Sequence, residues 1–483
     1  MNEVFIAWVG LITIFTLRYL QSYSCVQTRL HQCGSKLACA PKWYSKWYSI
    51  AFFLLAMLSR TLYDIVKYNY VGYKFLTSDR IASNLKLIKE DNPDLSEADL
   101  EKLHLRPWLK VLALSAPIVG VFTFMLVLLQ TRGLIRQSQR VRREKDTLED
   151  PAKRDQPNWI AKDHHPSWMR DLMDIIVVVL ANPLLFIVMS MRATIRVLAV
   201  MTGSAWSPQH RLPAEERLKW EHVVALEMST FTADLEIAYA IQFMTVWIFG
   251  AMCGELLAGT DLLRAAEPTV KKEYKKTMVY AAVQGIYAYV IVGLLRCAVD
   301  ILVAALLETD DPKLRDQAAE VEEKFLPKIA TIFMFVTLLC IYNMIIIGKT
   351  QAIKSKLGNA TLKFLALRLL LLVAQTQLQI LMGLTTGSTL YKKVMLHEDK
   401  IQPFLDQHVP SWHLHLADWE FSEYQAKLLH AALLSYECLI MVVLNLIFWK
   451  LSDDVARKIT FFKFKDSHDK HSNLQAPLLE HGY

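Results

Sequence analysis

The sequence predicts an all-α fold: a polytopic membrane protein built as a seven-transmembrane-helix bundle, with two additional N-terminal hydrophobic helices. Seven apolar runs lie between residues 111 and 449, each near the roughly 20 residues a helix needs to cross a hydrocarbon core. The loops between them alternate in Lys/Arg content, as in a chain threaded back and forth through a bilayer. The 483-residue chain is 53% hydrophobic and 21% charged, with a mean hydropathy of +0.23. That balance fits apolar spans joined by soluble loops rather than one water-soluble core. Barrel strands are excluded because they are about half as long and alternate apolar with polar residues.

The N-terminal extension, residues 1–107, contains two short apolar stretches, Val4–Leu17 and Trp47–Ser59, which run up to Arg18 and Arg60. Met1-Asn2-Glu3 lacks the positive flank of a secretory signal, so the first stretch reads as a signal anchor. If both stretches cross the bilayer, a snorkelling Arg18 and an Arg60/Asp64 pair one helical turn apart extend them. The basic linker with Arg29, Lys36, Lys42 and Lys46 then lies inside; otherwise the two are interfacial helices. An acidic connector follows from Glu90 to Asp99, where Ser96 ahead of Asp99 and Glu101 predicts the cap of a short solvated helix.

The seven-helix transmembrane domain, residues 108–450, reads as Val111–Gln130, Met173–Met191, Ala238–Leu257, Met278–Leu307, Ile329–Gly348, Phe364–Thr386 and Leu428–Trp449. Segments 131–170, 258–277, 349–363 and 450–483 carry 25 Lys/Arg, against 13 in 192–233, 308–328 and 387–427. The cation-rich set is expected on the cytoplasmic face, with the N-terminus outside, in the plasma membrane or an endomembrane. The strongest cue is the run Arg132, Arg136, Arg140, Arg142, Arg143, Lys145, a topogenic signal that anionic headgroups would also attract. Arg192 and Arg196 fall on the wrong side of the second span, which implies that this span ends later and that both face protein or water. Residues 144–170 and the cytoplasmic tail, 451–483, are polar and read as mobile or partly disordered. The net charge of +7 sits in clusters beside spans, which argues against a nucleic-acid partner. Cys253, Cys297, Cys340 and Cys438 read as packing residues, and Cys25, Cys33 and Cys39 as reduced thiols of the inner linker.

Polar groups within spans are the functional candidates, since each is costly in hydrocarbon unless it faces the bundle interior. In the sixth span Arg368, Gln375 and Gln379 share one stripe by their spacing; in the seventh, His430, Glu437 and Asn445 share another. The fourth span holds Gln284 and the i, i+4 pair Arg296 and Asp300, read as a structural ion pair near a helix end. Interhelical hydrogen bonding is the structural alternative for the sixth and seventh spans. Pro117 and Asn182-Pro183 interrupt the first two spans, as passive kinks or as the wall of a groove.

Tyr342-Asn343-Met344, leading through Lys363-Phe364-Leu365-Ala366-Leu367-Arg368 to Gln375-Thr376-Gln377, resembles the fifth-to-sixth helix signature of the organic solute transporter alpha family, which includes the transmembrane protein 184 proteins. Asp234-Leu235-Glu236-Ile237-Ala238-Tyr239 with Phe243, Tyr436-Glu437, and the span with Pro183 and Ser190 are similar to further elements of that pattern. The match covers roughly residues 110–450, while residues 1–106 have no counterpart and the family's dense cysteine cluster is absent. The resemblance implies a seven-helix carrier, outer at its N-terminus, that moves amphipathic organic anions by facilitated exchange, alongside a small single-span subunit or as a homo-oligomer.

The expected function is therefore facilitated or exchange transport of amphipathic organic solutes, with membrane lipids as surroundings. Arg368, Gln375 and Gln379 would meet the anionic head, Phe364 and Leu371 the apolar body, and His430, Glu437, Asn445 and Gln284 would line the path. The alternative is a seven-helix receptor-like or scaffold protein without transport activity, signalling through loops such as 131–170. No enzymatic role, cofactor or metal is expected: there is no Walker loop, nucleophile elbow or helical His-Glu-x-x-His, and His413-Leu414-His415 reads as a solvated loop.

Overall fold

The computed structural model describes residues 47–68, 77–149, 172–213, 216–258, 270–307, 309, 311–350, 353–354, 357–385 and 421–449. These residues are helical throughout, with no strand; extended pairing among them is confined to one bridge, Thr385 to Phe421. In chain order the helices are α1 (Trp47–Lys67), α2 (Ser78–Asp91), α3 (Glu97–Glu101), α4 (Pro107–Glu149), α5 (Leu172–Met201), α6 (Ser207–His210) and α7 (Trp220–Ala258). They continue with α8 (Val270–Leu307), α9 (Pro312–Lys324), α10 (Leu326–Gly348), α11 (Ala360–Gly383) and α12 (Glu423–Phe448).

Each expected span overlaps one of these helices; several helices run further, while the expected sixth and seventh spans outrun theirs, which end at Gly383 and Phe448. Six are long and apolar enough to cross a membrane, over Pro107–Gln137, Ile176–Met201, Trp220–Gly254, Ala281–Leu307, Thr331–Gly348 and Glu423–Phe448. That is consistent with an integral multi-pass membrane protein. The expected sixth run forms α11, which is not among those six. The second span ends ten residues later than Met191, at Met201, and residues 144–149, expected to be irregular, continue α4. The stretch Trp47–Ser59 extends as α1 to Lys67, whereas Val4–Leu17, the cysteines before residue 40, the rest of 144–170, His413-Leu414-His415 and the tail lie outside the described residues.

Contacts between helices give their directions. α4 and α12 run parallel, since Gln425 donates to the His104 carbonyl at 2.7 Å and Tyr436 pairs with Ser115 at 2.5 Å. α5 and α7 are antiparallel, because Arg196 meets Glu227 and Asp234 while Asn182 meets Thr245. α7 and α8 are antiparallel too: a Cβ on Gly250 would lie 2.9 Å from Ile286, and one on Gly293 would lie 2.6 Å from the Phe243 ring. α11 runs against α7, through Phe249 on Phe364 and Gln242 on the Leu367 carbonyl. It also runs against α12, through Gln377 on His430 and Lys363 over Trp449. The bundle thus has two ends. The starts of α4, α7 and α12 share an upper end with the close of α5, while Leu357, Lys363 and Trp449 mark the lower.

α5 and α7 form the centre and are buried along most of their apolar length, whereas α4, α8, α10 and α12 present exposed apolar faces. At the upper end Asp91 gathers the caps. Its carboxylate accepts from the Trp206 indole at 2.9 Å and from Arg217 at 2.9 Å, and pairs with His210 at 3.1 Å. The Trp206 hydrogen bond first, then His210 and Arg217, hold this carboxyl below the usual carboxylate range. Gly203, at φ +68, closes α5 in a left-handed turn where a Cβ would also press Asn84 and Ile88. Ser96 caps α3 as its sequence predicts, accepting from the Asp99 N–H.

Candidate functional site

Two polar assemblies occupy the bundle interior: in the first each carboxylate lies within 4 Å of a cation, although Asp64 Oδ1 and Asp234 Oδ1 accept no hydrogen bond among the described residues, whereas the second holds a carboxylate with no cation beside it among those residues. The first joins α1, α5 and α7 near the upper end. Arg192 and Arg196 lie four residues apart and Glu227 and Asp234 seven apart, so each pair falls on one helix face. Arg196 spreads its guanidinium over three carboxylates: Nε to Asp234 at 3.0 Å, Nη1 to Glu227 at 2.8 Å and Nη2 to Asp64 at 3.2 Å. Arg192 Nη2 lies 3.3 Å from Asp234 and 3.6 Å from Asp64. All five side chains are at most 3% exposed. Tyr68 donates to Glu227, and the partly exposed Lys67 and Arg60 close the edge at 3.4 Å from Glu227 and 3.8 Å from Asp64.

This assembly explains why Arg192 and Arg196 sit where topology alone gives no reason for cations: α5 continues to Met201 and both side chains face protein. Removing charges from water costs several kcal/mol per ion, which multidentate contacts offset only while every partner stays in place. Sequence reasoning reached Asp64 only as a neighbour of Arg60, and Glu227 not at all, because their partners lie far away in the chain.

The second assembly is a seam between α7, α11 and α12. His430 is fully buried, with Nδ1 3.0 Å from Gln377 Oε1 and Nε2 3.3 Å from the Tyr239 hydroxyl. The amide oxygen can only accept, so Nδ1 carries the proton; in a neutral imidazole Nε2 then accepts from the Tyr239 hydroxyl, and both nitrogens are satisfied. Further along, Ser435 meets Ser190 at 3.2 Å and the Cys438 thiol donates to the Pro183 carbonyl at 3.6 Å. Asn182 donates to Thr245, whose own hydroxyl donates to the Ile241 carbonyl at 2.9 Å.

This seam is incompletely paired. Glu437 is half-buried, yet its Oε2 is shut off from the surface and accepts no hydrogen bond among the described residues. The same holds for Asn445 Oδ1 and Asn182 Oδ1, on side chains at most 1% exposed. Buried acceptors left in this state usually have a water or ligand as their missing partner. All three atoms can receive hydrogen bonds from a solute, and a carboxylate can also hold a proton or balance a cation.

The remaining sequence candidates are distributed unevenly. Gln379 lies on the exposed side of α11, not on an interior stripe; the inward glutamine is Gln377, about 180° from Arg368 around the helix at 100° per residue. The side chains of Arg368 and Gln375 lie outside the described residues. Gln284 is half-buried on α8 and joins neither assembly. Arg296 and Asp300 do pair, at 3.4 Å and mostly buried, with the guanidinium 5.1 Å from the Phe333 ring centre. Cys253, Cys297, Cys340 and Cys438 are buried free thiols. Comparison with known proteins finds no matching family model, no matching curated protein and no matching solved structure.

Proposed function

We propose that this chain is a multi-pass membrane transporter that carries amphipathic organic solutes by facilitated diffusion or exchange along the α12 stripe. One observation carries the reading: Glu437 Oε2, within a membrane-length helix, is hidden from the surface without a hydrogen bond among the described residues. An ionisable group at that depth is costly unless something in the path meets it. Asn445, on the same helix, and Asn182, on the facing α5, add acceptors of the same kind. Pro183 on α5 belongs to this wall, which favours the groove over the passive kink.

In this reading α11 is the seventh membrane helix, and the solute class, an amphipathic organic anion, is the one implied by the resemblance to the organic solute transporter alpha family. The lower end faces the cytoplasm, since Arg132, Arg136 and Arg140 leave the span there. The N-terminus is then outside and the C-terminus inside. A receptor-like or scaffold role is the second reading, favoured by the charge-paired α1–α5–α7 cluster, which ties three helices together.

Uptake of a panel of labelled charged and neutral organic solutes into vesicles containing folded protein separates the two. Saturable flux that Glu437→Gln abolishes or makes insensitive to pH supports transport. No flux for any member of the panel sinks it.

A further inference from the structure

We infer that the lower continuation of α4 is a binding surface for anionic phospholipid headgroups, carried by Arg132, Arg136 and Arg140. Within the span, Ile118, Val121, Phe122, Met125, Leu128 and Leu129 are all exposed and recur at three- and four-residue steps, which marks the lipid-facing stripe of α4. The helix does not stop at the end of the apolar run but continues unbroken to Glu149, so the register is kept. Arg132 falls three residues after Leu129 and four after Leu128, and Arg136 and Arg140 follow in further steps of four. The line that faces lipid tails thus becomes a line of guanidinium groups.

Exposure and depth agree with that placement. Arg132, Arg136 and Arg140 are all exposed, and none of them pairs with a carboxylate among the described residues. With the hydrocarbon edge taken at Gln130, where the 20-residue apolar run from Val111 ends, and a rise of about 1.5 Å per residue, their Cα atoms lie about 3, 9 and 15 Å beyond it. A headgroup layer is about 5–8 Å thick on each side, so Arg132 sits inside it and Arg136 at its outer edge. Arg140 stands within about one Debye length of the surface, roughly 8 Å at physiological salt. A soluble acidic partner would find two of the three groups already among lipids. The leaflet that surrounds α4 is the occupant that the geometry favours, and guanidinium groups suit its phosphates.

The test uses spin-labelled phosphatidylserine and phosphatidylcholine with the full-length protein reconstituted in phosphatidylcholine vesicles, reading the fraction of each lipid immobilised at the protein surface. Each engaged arginine strengthens association with an anionic surface by about fivefold. The serine-lipid preference of the native protein should therefore fall by about fivefold or more in R132Q/R136Q/R140Q. It should persist in R132K/R136K/R140K, and in K313Q/R315Q/K328Q, which loses the same charge from α9 and the start of α10. Inorganic phosphate should not displace the lipid. An unchanged preference in the glutamine triple overturns the inference; so does an equal fall in the lysine triple or in the α9–α10 control, or displacement by free phosphate. The readout needs no transport activity, so its failure is separate from that of the transporter reading.

Discussion

The α1–α5–α7 cluster and the α12 seam are both polar and both buried, and both keep acceptor oxygens without a hydrogen bond, yet only in the first does every carboxylate have a cation within 4 Å among the described residues. Around Arg196 three carboxylates converge within 3.2 Å, and Arg192, Lys67 and Arg60 take up most of what remains. On α12, His430 is satisfied on both nitrogens but Glu437 and Asn445 each keep an oxygen with no hydrogen bond among the described residues. Buried opposite charges that neutralise one another hold helices together and offer little net charge to a ligand. A buried carboxylate with no cation beside it costs stability and persists where function requires it. On the proposed function, this difference gives the first assembly to architecture and the second to solute handling.

The largest stability effect should come from breaking the charge-paired cluster. Arg196→Gln leaves Asp64, Glu227 and Asp234 facing one another in a sealed site, at an expected cost of about 3–5 kcal/mol. Thermal unfolding in mild detergent, followed by size exclusion, should show loss of most folded protein. Arg196→Lys should restore little, because an ammonium cannot reproduce a fork that reaches three acids. A smaller effect is expected from Asp64→Asn, which keeps the size of the side chain but loosens α1 from both arginines. About 1.5–3 kcal/mol, the range for hydrogen bonds to charged groups, should be lost, and proteolysis should release α1 before the rest of the bundle unfolds.

The upper cap supplies a milder case of a paired carboxylate, outside the membrane-spanning helices. The folded Asp91 carboxyl is held below its ordinary range, chiefly by Trp206. Its stabilisation is therefore complete above the ordinary carboxylate range and is lost as pH falls through the lower folded value. Asp91→Asn should cost about 1 kcal/mol at neutral pH, and the difference in melting temperature from the native protein should shrink on acidification. A difference that stays constant down to strongly acidic pH would remove Asp91 as the source.

Much of the fold was legible because hydrocarbon imposes simple rules on sequence. Apolar runs of membrane length became helices, and the Ser96 cap formed from its local signature. The misplaced arginines announced a longer second helix, and α5 does extend past them. What stayed hidden were pairings across the chain: Asp64 shares Arg196 with a residue 170 positions later, Asp234, and no local pattern encodes that. The face of α11 was misread for a related reason. Arg368, Gln375 and Gln379 form a self-consistent stripe, but spacing fixes which residues share a face and not where that face points. Gln377 reaches His430 because α12 packs on the other side. On α12 itself the stripe of His430, Glu437 and Asn445 was readable from spacing, although which of its atoms remain unpaired was not.

The contrast is tested most directly at Glu437, where stability and function are expected to separate. In the same preparation, the melting temperature and the initial rate of solute uptake into vesicles are measured for the native protein, Glu437→Gln and Arg196→Gln. Glu437→Gln removes a carboxylate that has no complete set of partners, so its stability should change by less than about 1 kcal/mol, as expected where no satisfied network is broken. Its uptake should be lost or become insensitive to pH. The opposite outcome, a Glu437→Gln protein destabilised as severely as Arg196→Gln whose surviving fraction transports at the native rate, would make α12 as architectural as the cluster and contradict the division between them.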